Sequence, residues 1–330
     1  MKPFVVVQHP PLPDEVRASL SQAFQLIEIP VGTQWNDVIA PDQRGLVEGA
    51  LCVPMQPVNA ALLEHYPNLR IYANRAVGFD NVDVPAATQR GVLVCNTPGV
   101  LDASVADLTL GLILSLARQI PAGDAYVRAG LWRQRGPAPL GASLDGKILG
   151  LLGMGRIGRA VAQRARAFGM EVVYCNRSRY PDIEESGLAR FVERDELFQC
   201  ADFISLHLPL TPASRGGVGA REFQLMKPSA YLINTARGAV VDEAALIQAL
   251  QSGEIAGAGL DVMEKEPIDE NHPLCALSNV ILQSHAGSAT HETRRAMLDL
   301  AVDNLIKGMS GERPLAMVNP EVWPPVRRSA

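Results

Sequence analysis

Short apolar runs alternate with segments of helical period along the first 97 residues. The runs Phe4–Val7, Gln25–Ile29, Ala50–Val53, Arg70–Ala73 and Val92–Cys95 predict strands; the patterns over Asp14–Ala23, Pro57–Tyr66 and Val84–Arg90 predict helices between them. Strands separated by helices imply a parallel sheet with an α/β layer of its own. The stretch NTPGV, residues 96–100, breaks the pattern at Pro98 and Gly99 and marks a domain crossing. A long helix is predicted over Ala103–Arg118. It is apolar on more than one face, which places it between elements or at a subunit contact. Residues 123–146 carry Trp132 and gather Gly136, Pro137, Pro139 and Gly141, a composition that predicts an extended arm, either wrapping a partner subunit or lying as a surface loop.

The alternation then resumes. Ile148–Leu152 predicts a strand, Ile157–Phe168 a helix closed by Gly169, and Glu171–Cys175 a second strand. Further strands are predicted at Asp202–Leu206, Ala230–Ile233, Gly257–Val262 and Asn279–Leu282. Helices are expected at Asp242–Gln251, stopped by Gly253, and over 288–309. The last ~20 residues read as a Pro- and Arg-containing tail.

Composition narrows the class. The chain has 330 residues, enough for two domains of ordinary size, with 47% hydrophobic and 20% charged residues. A net charge of −5 argues against nucleic acid or an anionic membrane as the main partner. No apolar run approaches the length of a membrane span, and Phe4–Val7 is too short for a signal-peptide core. The five cysteines are scattered, without metal-ligand spacing or a disulfide framework, so no metal is expected and a reducing, cytoplasmic setting fits best.

Chemistry enters at the turn between the first two strands of the second half. Gly153, Gly155 and Gly158 stand at GxGxxG spacing inside a strand–turn–helix–strand unit of the length expected for a βαβ dinucleotide site. The first glycine permits the tight turn, the second lets backbone approach a pyrophosphate, and the third lets helix and strand pack closely. The helix N-terminus would then hold the phosphates. An NAD site usually places Asp or Glu at the end of the second strand. Here Asn176 stands there, followed by Arg177, Ser178 and Arg179, with no carboxylate to repel a 2′-phosphate and a guanidinium fork suited to bind one. NADPH is therefore expected over NADH, with solvated loop charges as the alternative.

Polar residues recur just beyond strand carboxyl ends, where open α/β sheets bind ligands. Three are ionisable: Arg237, Glu266 and His285. Together they would suit reduction of a 2-keto acid, with arginine on the anion and carbonyl, histidine as proton donor, and glutamate orienting the imidazole. Singly, a lone arginine is usually a surface charge, Glu266 reads equally as a loop carboxylate and His285 more commonly as a satisfied core or strand-end histidine, and spacing alone does not join them. The segment 74–84, NRAVGFDNVDV, reads evenly as a ligand-approach loop or a plain strand-to-helix turn.

Six stretches in order resolve these alternatives: VGFDNVD at 77–83, VADLTLGLILSLAR at 105–118, LGMGRIG at 152–158, NTARGAVVDEAAL at 234–246, DVMEKEP at 261–267 and SHAGSAT at 284–290. In them the chain resembles the D-isomer-specific 2-hydroxyacid dehydrogenase family, most of all its glyoxylate, hydroxypyruvate and 2-ketogluconate reductases. The resemblance implies two Rossmann- or flavodoxin-like domains with parallel sheets. The cofactor domain, residues 98–286, would be inserted into a substrate domain formed by 1–97 and 287–330. It implies catalytic roles for Arg237, Glu266 and His285, and substrate-carboxylate binding by the backbone of Ala76, Val77 and Gly78. It implies cofactor contacts at Arg156, Ile157, Arg177, Ser178, His207, Pro209, Thr235, Ala236 and Asp261, the last meeting the nicotinamide amide, and a homodimer through the long helix and the Trp132 arm.

Departures from the family pattern bear on substrate size. Met263 stands where many members carry an aromatic residue, Ala286 replaces a more usual Ile, and the arm after Trp132 is short. Met55 and Arg75 are further pocket-lining candidates. Arg75 suits a second polar or anionic group and equally a surface role, and Trp323 suits packing alone. Two other functions share the scaffold. Phosphite oxidation is disfavoured by Val77, where its pattern has lysine; a dinucleotide-sensing corepressor is disfavoured by the acidic charge and the lack of long disordered tails.

Overall fold

The computed structural model describes residues 2–324. The chain forms two compact units, one from residues 1–101 with 291 onward, the other from 102–290. The first holds a five-stranded parallel sheet of β1 (Phe4–Gln8), β2 (Gln25–Glu28), β3 (Val47–Cys52), β4 (Ile71–Asn74) and β5 (Leu93–Cys95), in the order β2-β1-β3-β4-β5. One face packs Val5, Val7, Leu51, Ile71 and Ala73 against Leu298, Ala301, Leu305 and Met309 of the helix His291–Ser310. The other buries Trp35, Tyr66 and Tyr72, with Trp35 and Tyr66 edge to face at 5.2 Å.

The second unit holds seven parallel strands: β6 (Ile148–Leu152), β7 (Glu171–Cys175), β8 (Arg190–Phe191), β9 (Phe203–Leu206), β10 (Tyr231–Asn234), β11 (Gly257–Leu260) and β12 (Val280–Leu282). Their order, β12-β11-β10-β9-β6-β7-β8, reverses direction between β6 and β9. In the first sheet the reversal lies between β1 and β3. Such switch points open a crevice at the strand carboxyl ends, where doubly wound sheets take their ligands.

Most predicted elements appear within one to three residues of their expected ends. The long helix runs Asp102–Ala117, buries Val105, Ala106, Leu110, Leu112, Ile113 and Leu116, and packs on the helix Arg156–Ala167. Gly259 of β11 lets it approach, since a Cβ there would lie 3.1 Å from Leu112 Cβ. The segment 123–146 corrects the expected extended arm: it starts as two helices, Ile120–Arg128 and Leu131–Arg135, and is irregular only beyond. Pro121 fits the first helical turn and the Arg128–Asp124 pair spans i,i+4 at 2.8 Å, so the breakers from Gly136 onward act only on the second part. The short helices Pro181–Glu185, Arg194–Cys200 and Ala220–Leu225, and the two-residue β8, escaped the pattern because one or two turns carry too few positions for a period to show. No single helix among the described residues is long and apolar enough to cross a membrane.

Candidate active site

In the second unit the GxGxxG turn joins β6 to the helix Arg156–Ala167, and its glycines differ in what they permit. Gly153 has φ +104°, and a Cβ there would meet the His207 carbonyl oxygen at 2.6 Å. A Cβ on Gly158 would lie 2.4 Å from the Gly153 oxygen, so this glycine lets the helix close on the turn. Around Gly155 nothing lies within 4 Å. Backbone is thus exposed at the N-cap of a 12-residue helix whose first residues are Arg156 and Ile157. That combination fits a dinucleotide pyrophosphate.

At the end of β7, Asn176 donates to the Ser178 carbonyl at 3.3 Å. Arg177 is exposed, and among the described residues its guanidinium makes no hydrogen bond or ion pair. Arg179 is different: it pairs with Glu184 and its guanidinium lies 5.2 Å from the Phe191 ring centroid. Of the two arginines expected beside a 2′-phosphate, only Arg177 is uncommitted. His207, after β9, has Nε2 2.9 Å from Ser205 Oγ, and burial lowers its pKa to about 4, so the ring is neutral at pH 7. The exposed Pro209 follows two residues on.

The three ionisable residues predicted from strand ends lie in loops that the sheet brings together. His285 Nδ1 lies 2.7 Å from Glu266 Oε2, and Glu266 Oε1 accepts from the Met263 N–H at 3.1 Å. A carboxylate only accepts, so Nδ1 carries a proton and Nε2 is the atom left for a ligand. Partial burial pushes the Glu266 carboxyl up; the hydrogen bond and charge of His285, the Met263 N–H and the Arg237 guanidinium outweigh it, and the group sits below the usual carboxylate range. Arg237 thus acts on the same carboxylate that orients the histidine, while its Nη1 donates to the Ala236 carbonyl at 2.7 Å.

Asn234 and Gly238, not singled out from sequence, build this arrangement together with Asp261. Asn234, buried at the end of β10, donates to the Arg237 carbonyl at 2.9 Å and accepts from the Ala236 N–H at 3.0 Å, shaping the Thr235–Arg237 turn. Gly238 allows that turn to touch the glutamate loop, for a Cβ there would fall 1.9 Å from the Met263 carbonyl carbon. Asp261, 1% exposed, accepts from the Ala286 N–H at 2.6 Å and the Gly287 N–H at 2.9 Å. It thereby holds the turn in which His285 takes φ +57°, a left-handed conformation uncommon outside glycine. Both of its oxygens are thus engaged, each with one lone pair left for the expected nicotinamide contact. Burial pushes this carboxyl up, the two N–H bonds and His285 pull it down, and the net shift is upward.

In the first unit the loop after β4 is tied from behind. Asn74 Nδ2 donates to the Gly78 carbonyl at 2.7 Å, Asn96 Nδ2 to the Val77 carbonyl at 2.8 Å, and the Thr97 N–H to the Ala76 carbonyl at 2.9 Å. The N–H groups of Ala76, Val77 and Gly78 have no hydrogen-bond partner among the described residues. Three carbonyls tied back and three amides left over are an arrangement that suits an anion. A short polar residue at the last position of an apolar strand, as at Asn74 and Asn234, is the signal that would have revealed these loop-shaping roles. Among the described residues no cluster of three His, Cys, Asp or Glu could hold a metal ion.

The model of the D-isomer specific 2-hydroxyacid dehydrogenase NAD binding domain matches residues 110–287. The chain belongs to the D-isomer-specific 2-hydroxyacid dehydrogenase family. A glyoxylate reductase of Thermococcus litoralis is 48% identical over 299 residues, covering 87% of this chain and 90% of the relative. A glyoxylate/hydroxypyruvate reductase B of Citrobacter koseri is 44% identical over 98% of this chain and 99% of its own. Among solved structures, the NADPH-dependent glyoxylate/hydroxypyruvate reductase of Sinorhizobium meliloti, in complex with NADP and malonate, superposes with a TM-score of 0.89 at 36% identity, covering 100% of both chains. As a member of this family the chain is an oxidoreductase.

Proposed function

We propose that this dehydrogenase reduces a small 2-keto acid of the glyoxylate, hydroxypyruvate or 2-ketogluconate class to the D-2-hydroxy acid, preferring NADPH and also accepting NADH. The carrying observation is the 2.7 Å His285–Glu266 hydrogen bond, with the Arg237 charge acting on the same carboxylate. The free amides of Ala76, Val77 and Gly78 take the substrate carboxylate. Arg237 holds the keto oxygen and stabilises the charge that develops there. His285, with Nδ1 fixed on Glu266, delivers a proton from Nε2 to that oxygen. Asp261 keeps His285 in its left-handed turn. Gly153, Gly155, Arg156, Ile157 and Gly158 hold the dinucleotide phosphates, Asn176, Arg177 and Ser178 the 2′-phosphate, and His207, Pro209, Thr235, Ala236 and Asp261 the remainder. The bound nicotinamide cofactor supplies the hydride. The first unit serves the substrate and the inserted unit the cofactor.

A panel of 2-keto acids run with NADPH and with NADH tests the reading. Turnover of glyoxylate or hydroxypyruvate with higher kcat/KM for NADPH is expected, and Arg177→Ala should cut the NADPH advantage by roughly tenfold or more, the worth of a charge-assisted hydrogen bond. Absence of turnover with every keto acid would favour the sensor reading, and a native preference for NADH would remove the role of Arg177. We also infer a homodimer, since Ile120, Val127, Trp132 and Leu140 leave apolar surface exposed around the two arm helices. Light scattering of the native chain should give twice the 35.5 kDa monomer mass. The free cysteines fit a cytoplasmic location.

A further inference from the structure

The first unit carries two arginines beside a neutral histidine that the reaction above does not use. His9 directly follows β1, beside the switch point between β1 and β3; Arg75 directly follows β4; Arg294 stands in the first turn of the helix His291–Ser310. The charges of Arg75 and Arg294 both act on His9, and that of Arg294 acts on Arg75. Arg75 is only 8% exposed, yet among the described residues its guanidinium makes no hydrogen bond or ion pair, and Nε is fully enclosed. His9 Nδ1 lies 2.5 Å from the Pro10 carbonyl, and its enclosed Nε2 has no partner. Arg70, similarly buried just before β4, also has an enclosed Nε without a partner, but Glu48 lies 3.2 Å from its Nη1.

A buried guanidinium without a counter-charge is costly, and removing it would ordinarily be favourable. Burial and Arg294 lower Arg75 to about 10, which still leaves it charged at pH 7. Among the described residues nothing compensates it, and the guanidinium fork matches a planar carboxylate. Arg75 immediately precedes the loop Ala76–Gly78, whose free amides already suit one carboxylate.

We propose that Arg75 and Arg294 form a second anion subsite beside the neutral His9 ring, and that the chain's preferred substrates are 2-keto acids with a second carboxylate at the end remote from the keto acid group. The inference rests on the 2-keto acid reductase reading and on the Ala76–Gly78 loop as holder of the first carboxylate.

The test is a ratio of kcat/KM within matched pairs, with NADPH. Oxaloacetate is compared with 2-oxobutyrate, which has the same carbon count without the distal charge, and 3-phosphohydroxypyruvate with hydroxypyruvate. The native enzyme is expected to favour oxaloacetate about tenfold or more, and Arg75→Met to collapse that ratio toward one; Arg75→Lys, which keeps the charge and loses the fork, should fall between. A native ratio near one, or a ratio unchanged in Arg75→Met, overturns the subsite. A preference confined to the phosphate pair overturns the carboxylate assignment. The native ratio decides the matter if Arg75→Met does not fold. Glyoxylate turnover with a flat ratio sinks this inference alone, whereas no turnover of any 2-keto acid sinks both it and the reading beneath it.

Discussion

His285 depends for its work on two carboxylates with separate jobs. Glu266 determines which nitrogen carries the fixed proton, and Asp261 keeps the backbone in a conformation that a histidine seldom takes. On the proposed roles, replacing the imidazole removes the proton donor and leaves the glycine turn untouched, so His285→Ala should lower kcat by roughly two to four orders of magnitude. Arg237→Ala should do likewise through loss of charge stabilisation at the keto oxygen. Fluorescence titration should give a near-native Kd for NADPH in both variants; near-normal turnover in either would refute its role. Glu266 has a depressed pKa, so its contribution to stability is complete above its ordinary value of 4.5 and is lost as pH falls through the lower folded value. Glu266→Gln should remove that acid-side loss while also slowing turnover.

The β6–turn–helix unit shows one motif carrying two physical demands. Gly153 and Gly158 are required by backbone that passes within 2.6 Å and 2.4 Å of where a Cβ would stand, whereas Gly155 borders open space. Their alanine variants should therefore separate. Gly158→Ala forces the helix off the turn and should lower Tm, with a cost on the order of 1–3 kcal/mol. Gly155→Ala should leave Tm within a degree or two and instead raise the Kd for NADPH, because the added methyl occupies space the phosphates need. Equal loss of Tm in both would show that the open side of Gly155 is not the ligand side. The GxGxxG spacing predicts the unit and the division of roles among its glycines; the structure adds that the His207 carbonyl is what presses on Gly153. The arm shows the converse. Its prolines and glycines were legible as breakers, but the helix Ile120–Arg128 lies just upstream of them, where local pairing prevails.

Each sheet of the molecule carries a histidine at its switch point, His9 after β1 and His207 after β9, and both are lowered from 6.5 to about 4. Burial is the leading cause in each, joined at His9 by the two arginines. Between those values the unfolded chain binds protons that the folded chain does not, so stability falls as pH drops from 6.5 toward 4. Urea midpoints measured from pH 7 down to pH 5, above the range where carboxylates titrate, should decline; His9→Asn and His207→Asn should each flatten the decline. A midpoint constant across that range would show that neither ring is held neutral by the fold.

The sequence by itself determined the elements and their class. Apolar period, glycine spacing and the order of polar residues at strand ends are local properties, and a parallel doubly wound sheet follows from strands that alternate with helices. It also offered the candidates for chemistry, since Arg237, Glu266 and His285 stand where strands end. Only the tertiary structure decided which of them meet. Strand order sets which loops become neighbours, and pairing choices made there have no counterpart in spacing: Glu266 takes His285, Glu184 withdraws Arg179 and leaves Arg177 uncommitted, and Asp261 clamps the histidine turn. Arg75 carries the same lesson. In the sequence it stands as one more charge, and only burial without a partner distinguishes it from Arg70, because a side chain's counter-charge is chosen by packing across the sheet rather than by its neighbours along the chain.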